Sequence, residues 1–409
     1  MQPPHVPTGQ TRWRIPPILA LTVLINYLDR NNLALAIPRI AQDFGWSDRE
    51  IGANGEVLLA AFFISYALSN MLLSPWADRF GPKRSVMVAI AAFSIVTILS
   101  ALFGASFVAL IVLRLLLGLG EGVHIPMLSA ITSRWFLPGE RSRANALWGG
   151  GILVATAIAP ILIIPLIQAL GWRSTFAVLG VGGMIISLPL VYWLVPPDAA
   201  VSTWSAQTEA EARAVVSAPA YRRDPKFWLA VVGGSLNAFC AFGLLNWLPT
   251  YFNRAKNIDF AQLGWPLAVI FATGIVGIGV MAYWGDKLQR RIQLAAIGFL
   301  LAGVMVFLAS TTTQLGLLVA AFAIAVFCQS AYGAQEYAIV QRLLPPHCVG
   351  SGTGLYNGLA VLLGGVGGSL IPGSIVAATG SFDAGMLSLV VGAGLAAIAM
   401  VVLSRYLKY

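Results

Sequence analysis

The sequence predicts an all-α membrane protein with twelve transmembrane helices arranged as two six-helix bundles. The first observation is composition: 58% of the 409 residues are hydrophobic, only 10% are charged, and the mean hydropathy is +0.80. A soluble domain has about 25% charged residues. The second is that apolar runs recur from end to end, each near the ~20 residues that cross a bilayer. The third is an internal repeat of six spans, which predicts two bundles.

Twelve apolar runs define the predicted spans, and they are too long and too uniformly apolar to be strands. They cover residues 14–37, 51–75, 84–104, 107–131, 143–168, 174–195, 226–252, 263–284, 291–311, 314–340, 351–378 and 384–406. An even number of spans places both termini on one side of the membrane. Most of the 25 Lys and Arg residues lie in loops on that side, so we expect both termini in the cytoplasm.

The longest polar stretch, residues 197–224, separates the sixth span from the seventh. We interpret it as a cytoplasmic linker between an N-terminal bundle, residues 1–196, and a C-terminal bundle, residues 225–409. The N-terminus is polar and rich in proline, and the first apolar run is too long for the core of a cleavable signal peptide. Short loops favour a bacterial inner membrane as the location.

The repeat is visible in two loops. Residues 74–84 read SPWADRFGPKR and follow the second span, while residues 282–291 read AYWGDKLQRR and follow the eighth. Asp78 and Asp286 therefore fall at matching helix ends, each followed by a basic cluster. A carboxylate in this position can form a charge latch between neighbouring helices.

Several other classes of function find no support. The net charge of +9 is explained by basic cytoplasmic loops, so we expect no nucleic-acid partner. The three cysteines have neither metal-ligand spacing nor a disulfide framework, and we expect no metal and no cofactor. The sequence has no GxxxxGK[ST] phosphate loop, no HExxH and no GxSxG. We therefore predict neither an enzyme nor an ATP-driven pump.

Four charged residues lie inside predicted spans: Asp29 and Arg30 in the first, Arg114 and Glu121 in the fourth. Asp29 and Arg30 are adjacent and point about 100° apart, whereas Arg114 and Glu121 are about two helical turns apart on nearly one face. One such charge costs about 2.5–3.5 kcal/mol at the membrane centre. The four form either an ion-pair network that only fixes helix packing or a functional site. A buried carboxyl group whose arginine partner moves can change its protonation, which is the physical basis of proton coupling.

The chain resembles the major facilitator superfamily over its whole length. The 74–84 loop is similar to that superfamily's loop between the second and third helices, with Ser74 at the position of the usual glycine. A narrower resemblance, to the anion:cation symporter branch, rests on NYLDR at 26–30, RLLLGLGEG at 114–122 and WFLPGERSRA at 135–144. Pro126, WLPTYF at 247–252 and GTGLYNG at 352–358 fit the same branch.

The resemblance implies roles for individual residues. The acids matching Asp29 and Glu121 carry protons, the arginine matching Arg30 binds the substrate carboxylate, and the one matching Arg114 pairs with the acids. The resemblance also places Tyr27, Tyr66 and Asn357 near the substrate, although a packing role for the tyrosines stays open. The loop motif comprises Asp78, Arg79, Gly81, Arg84 and Asp286.

The function implied is proton-coupled symport of a small organic anion, taken up as a carboxylate by alternating access. We expect a monomer in the lipid bilayer, with a proton and the anion as its partners. Two alternatives remain: a proton-driven antiporter or exporter of a metabolite or drug-like compound, and a facilitator or sensor that binds an anion without coupling. His124 and Glu336 are left without an assigned role. The run Gly149-Gly150-Gly151 replaces a polar substrate contact of sugar-acid members, which indicates a roomier, less polar pocket.

Overall fold

The computed structural model describes residues 10–136, 138–196, 220–344 and 349–407, and all regular structure in these ranges is helical. The α-helices are α1 (Ile15–Phe44), α2 (Asp48–Leu72), α3 (Ser74–Phe80), α4 (Pro82–Phe103), α5 (Phe107–Gly122), α6 (His124–Trp135), α7 (Pro138–Leu194), α8 (Pro225–Arg254), α9 (Gly264–Leu288), α10 (Arg291–Thr311), α11 (Leu315–Leu343), α12 (Val349–Ala360), α13 (Val366–Thr379) and α14 (Phe382–Tyr406). Short 3₁₀ turns precede α1, α8 and α9, and a π-helix, Val361–Gly365, joins α12 to α13.

Most helices of the described chain are long enough to span a membrane. Ten segments there are long and apolar enough to cross a bilayer. One of them, Arg143–Leu194, contains two helices that meet at Gly171, where φ is +77°. The 30-residue α1 is not among the ten, since its buried asparagines, Asp29 and Arg30 lower its hydropathy. With α1 included and α7 divided at Gly171, the predicted twelve spans are confirmed.

The chain divides into two compact units. The first contains Met1–Arg30, Ile64–Ala155 and Leu170–Ser217; the second contains Asn31–Phe63, Thr156–Ala169 and Ala218–Tyr409. In the second unit, a core of buried residues from α8, α10, α11, α12 and α14 includes Phe227, Phe299 and Met400. Large apolar side chains such as Ile185 and Val391 are exposed, a surface that is stable against lipid rather than water.

Three local features differ from the predicted spans. The first helix continues from residue 37 to Phe44, since Pro38 is accommodated inside α1. The fourth span consists of α5 and α6, which follow each other through the helical residue Val123. The eleventh span is interrupted by the π-helix, a turn that no hydrophobic pattern specifies. The predicted linker lies outside the described residues over 197–219, so the division into residues 1–196 and 225–409 stays a prediction.

Glycines set the closest helix contacts of the first unit. A Cβ added at Gly122 would lie 2.5 Å from the carbonyl oxygen of Tyr66, and one at Gly151 would lie 2.5 Å from that of Ala20. These glycines let α5 approach α2 and α7 approach α1. Gly149 and Gly150 are different, because nothing lies within 4 Å of a Cβ built there. The glycine run therefore combines one tight contact with open space.

Candidate functional site: a buried ion pair between α1 and α5

An arginine and a glutamate form a buried ion pair at the centre of the first unit. Arg30 of α1 donates from Nε to Oε2 of Glu121 of α5 at 3.0 Å, and its Nη2 lies 2.9 Å from the same oxygen. The side chains are 5% and 0% exposed. The pair joins residues 91 positions apart in the chain, so it fixes α1 against α5.

Two tyrosine rings enclose the Arg30 guanidinium. The Arg30 Cζ lies 4.4 Å from the ring centroid of Tyr27 and 4.4 Å from that of Tyr66. Contacts of this kind are worth about 2 kcal/mol when desolvated. The structure thus brings Tyr27, Arg30, Tyr66 and Glu121 together. The rings hold the planar group in one orientation, which suits forked binding of an acid group.

The second acid of α1 faces another helix. Thr97 of α4 donates from Oγ1 to Oδ2 of Asp29 at 2.5 Å, and Asp29 is 3% exposed. Arg114 of α5 is equally buried, with its Cζ 5.6 Å from the ring centroid of Phe176. Adjacent side chains on α1 therefore reach α5 and α4 separately.

The geometry of the Glu121 carboxyl group allows proton exchange without rebuilding the site. Arg30 Nε donates to Oε2 and Nη2 lies 2.9 Å from the same oxygen, while Oε1 accepts no hydrogen bond within the described part of the chain. A proton can therefore add at Oε1 while Oε2 still accepts from Arg30. The hydrogen bond from Arg30 then has an uncharged acceptor, and it is roughly half as strong as the bond to the ionised carboxylate.

Asn357 belongs to a different unit from these residues. It is half-buried in α12, which lies in the second compact unit. Its predicted role near the substrate stays a prediction, as do the roles assigned to the four charges.

The loop motif of the N-terminal half forms a charge contact between two helices. Arg134, at the end of α6, donates from Nη2 to Oδ1 of Asp78 at 2.8 Å. Arg79 lies against its neighbour Trp76, 5.7 Å from Cζ to the ring centroid. Gly81 separates α3 from α4 with φ of +95°, a conformation that strains any residue with a Cβ. The exposed Arg84 follows in α4.

The repeat of this motif in the C-terminal half is built differently. Asp286 of α9 pairs with Arg291 at the start of α10. Arg291 also donates from Nη1 to Oε1 of Gln335 in α11 at 3.2 Å. Asp286 thus holds α9 to α10, whereas Asp78, at the matching position of the first half, holds α3 to α6.

Sequence reasoning missed Thr97 and did not reveal the contacts of His124 and Glu336. Thr97 is an unremarkable polar residue in an apolar span, and nothing in the pattern shows that it faces Asp29. His124 is fully buried, and neither ring nitrogen has a hydrogen-bond partner among the described residues. Its ring packs edge-on against Phe93 at 6.0 Å. Glu336 has two tyrosine neighbours in α11 and α12 that its sequence position does not reveal.

Comparison with known proteins identifies the family. The family description "Major Facilitator Superfamily" matches residues 19–369, with a second match over residues 253–408. The chain belongs to the Major Facilitator Superfamily. As a superfamily member it is a multi-pass membrane transporter and not an enzyme, as the sequence predicts, and the two six-helix bundles are confirmed as its fold.

Relatives within the superfamily carry the names expected for the anion:cation symporter branch. The chain is 27% identical to a protein of Cupriavidus necator named "Probable sulfoacetate transporter", over 91% of this chain and 89% of the relative. It is also 27% identical to the hexuronate transporter of Bacillus subtilis, over 97% of this chain and 95% of the relative. A bacterial homolog of the human lysosomal transporter Spinster, crystallised in an inward-facing, occupied conformation, has the same fold, with a TM-score of 0.83 and 18% identity over 98% of both chains.

Proposed function

We propose that this protein takes up a small organic anion together with protons by alternating access. The observation that carries the proposal is the buried Arg30–Glu121 pair between the rings of Tyr27 and Tyr66. Apolar residues could fix helix packing at lower cost, because a buried ion pair loses hydration that its own attraction barely restores. A pair retained in a membrane helix is therefore better explained by use than by packing.

The cycle starts from a state open to the outside. A proton binds Glu121, Asp29 or both, and neutralising Glu121 weakens its hold on Arg30. The acid group of the substrate then binds the Arg30 guanidinium through two parallel hydrogen bonds. With the charges compensated, the two bundles rock and open inward, the anion leaves, and the acids release their protons to the cytoplasm. The empty carrier then resets.

The substrate class follows from the arginine and from the relatives. A carboxylate or a sulfonate presents two oxygens to a guanidinium fork, and the named relatives carry acids of both kinds. The run Gly149-Gly150-Gly151 carries no side chain at the position where sugar-acid members of the branch have a polar one. An aliphatic or aromatic acid therefore fits the proposal as well as a sugar acid. We place both termini in the cytoplasm and the protein, as a monomer, in a bacterial inner membrane.

The test is uptake into proteoliposomes under an inward proton gradient, with a panel of labelled organic acids. The panel includes sugar acids, short hydroxy acids, sulfonates, dicarboxylates and aromatic acids. Accumulation of one acid, abolished by an ionophore that collapses the gradient, is the expected result. Proton-driven loss of preloaded compounds with no accumulation of any acid would move the protein to the antiporter function. Binding that ignores the gradient would indicate an uncoupled carrier.

A further inference from the structure

A further acid, Glu336, lies in the other compact unit and takes no part in the proposed cycle. Glu336 is half-buried in α11. Its Oε1 accepts a hydrogen bond from the hydroxyl of Tyr356 in α12 at 2.8 Å, and the Tyr356 hydroxyl lies 2.6 Å from that of Tyr332 in α11. Tyr332 and Tyr356 are 1% and 0% exposed. We call Glu336, Tyr332 and Tyr356 the α11–α12 acid cluster.

Three neighbouring helices each place an uncharged residue against this cluster. From α8 comes Gly234, where an added Cβ would lie 2.1 Å from the Tyr356 hydroxyl. From α10 comes Phe299, whose ring centroid is 5.1 Å from that of Tyr332. From α14 comes Met400, which belongs to the same buried core. The polar groups of the α11–α12 acid cluster beside the Glu336 carboxyl group are the two tyrosine hydroxyls.

Charged groups near the cluster are engaged elsewhere or exposed. Arg291 of α10 binds Asp286 and Gln335 rather than Glu336. On α11 itself, the titratable neighbour Tyr337 and the later Arg342 are both exposed. None of the ion pairs formed within the described ranges includes Glu336. Its carboxylate is therefore balanced by hydrogen bonds alone, and taking up a proton removes a charge that the fold leaves uncompensated.

The cluster includes a residue of α12, the helix that also carries Asn357. Tyr356 immediately precedes Asn357, the residue of α12 predicted to lie near the substrate. The π-helix Val361–Gly365 separates α12 from α13, and such wide turns are frequent at functional sites. Gly364 is held tightly, since an added Cβ would lie 2.4 Å from the carbonyl oxygen of Ser235 in α8. The π-helix is thus anchored, while α12 is tied to α11 through the Tyr356–Glu336 hydrogen bond.

We propose that Glu336 is a second proton-binding site of the transport cycle, and that Tyr356 passes its protonation state to α12 and so to Asn357. An ionised Glu336 accepts from Tyr356, which accepts from Tyr332. A protonated Glu336 has an O–H group of its own and can donate to the Tyr356 oxygen, which reverses the direction of the chain. This inference rests on the proposed function and adds one proton per anion to it.

The equilibrium accumulation ratio counts protons directly. With the membrane potential clamped at zero by equal potassium and valinomycin, each coupled proton multiplies the anion ratio by about tenfold per pH unit of gradient. Glu336→Gln removes the titrating group and keeps a similar shape. We expect its plateau ratio to be about tenfold lower than that of the wild type at a gradient of about one pH unit. Glu50→Gln, which removes an exposed carboxyl group on α2, is the matched control with an unchanged plateau.

The outcomes separate this inference from the proposed function. A Glu336→Gln plateau equal to the wild-type plateau overturns the second site and leaves proton coupling intact. A wild-type protein that accumulates no acid contradicts the proposed function instead. Labelling of the wild-type protein by a hydrophobic carbodiimide, quantified at Glu336 by mass spectrometry, tests titration without transport and without a variant that must fold. Labelling that declines as the pH rises from about 5 to 9 supports the site, whereas labelling that stays constant overturns it.

Discussion

Replacing Glu121 with glutamine should separate anion binding from proton-driven accumulation. Glutamine cannot ionise, so the variant resembles the protonated carrier in every part of the cycle. Its amide oxygen can still accept from Arg30, which limits the disturbance of α1 against α5. We expect anion exchange across the membrane to persist and accumulation against a gradient to disappear.

The size of the effect follows from the pair. Two unit charges 2.9 Å apart at an effective dielectric constant of about 20 attract by about 6 kcal/mol, and losing one partner of a buried pair costs about 3–5 kcal/mol. A neutral acceptor retains roughly half of a charge-assisted hydrogen bond. In the variant, an anion that binds Arg30 therefore displaces an interaction weaker by about 2 kcal/mol than the wild-type ion pair. At a pH where the wild-type Glu121 is ionised, it should bind about thirtyfold more tightly.

Anion binding is measured on purified protein by titration calorimetry or by ligand-induced thermal stabilisation. Accumulation is measured in proteoliposomes. Glu140→Gln is the matched control, because Glu140 pairs with Arg12 at the same distance of 2.9 Å but both side chains reach solvent. This pair lies outside the site formed by Tyr27, Arg30, Tyr66 and Glu121, so affinity and accumulation should stay at wild-type levels.

Full proton-driven accumulation by the Glu121→Gln variant would refute the reasoning and remove Glu121 from the coupling mechanism. Weaker anion binding than in the wild type would also contradict it, since the competing carboxylate is gone. A loss of all activity together with a lower melting temperature points to packing as the role of the pair.

Three further changes test other parts of the account. Arg30→Lys keeps the charge but loses the planar fork held between two rings. The affinity for the substrate, measured by ligand-induced thermal stabilisation, should therefore fall at least about tenfold; unchanged affinity argues against a forked contact. Asp78→Asn removes a partly exposed ion pair that holds α3 to α6, so we expect a melting temperature lower by at most a few degrees and unchanged substrate binding; a large loss of stability or of affinity would contradict this limited role. Gly122→Ala places a Cβ 2.5 Å from a carbonyl oxygen and should lower the melting temperature by several degrees, whereas Gly149→Ala meets open space and should gain about 0.5–1 kcal/mol of helix propensity.

The sequence determines which residues are buried more clearly than which residues they contact. A charge inside a long apolar run has to lie within the protein, so Asp29, Arg30, Arg114 and Glu121 could be predicted as buried from position alone. The choice of partner could not, because Arg30 and Glu121 are brought together by the packing of α1 on α5. Thr97 shows the same limit, as a lone threonine carries no signal of the carboxyl group it faces.

Some helix ends and interruptions could also be predicted from the sequence, and others could not. The break predicted between the fifth and sixth spans coincides with Gly171, because glycine permits the positive φ at that turn. The π-helix Val361–Gly365 was not predictable, since its extra residue per turn depends on how α12 and α13 pack on neighbouring helices. The hydrogen bonds between Glu336 and the tyrosines require that packing as well.

The most direct test of proton coupling uses an anion gradient as the only driving force. Proteoliposomes with a pH-sensitive dye trapped inside and no initial proton gradient receive the transported acid, as a fully ionised salt, on the outside. Symport predicts that the interior acidifies as the anion enters, and that neither protein-free liposomes nor the Glu121→Gln variant shows this change. An interior that becomes alkaline, or anion entry with no change of pH, would contradict the account.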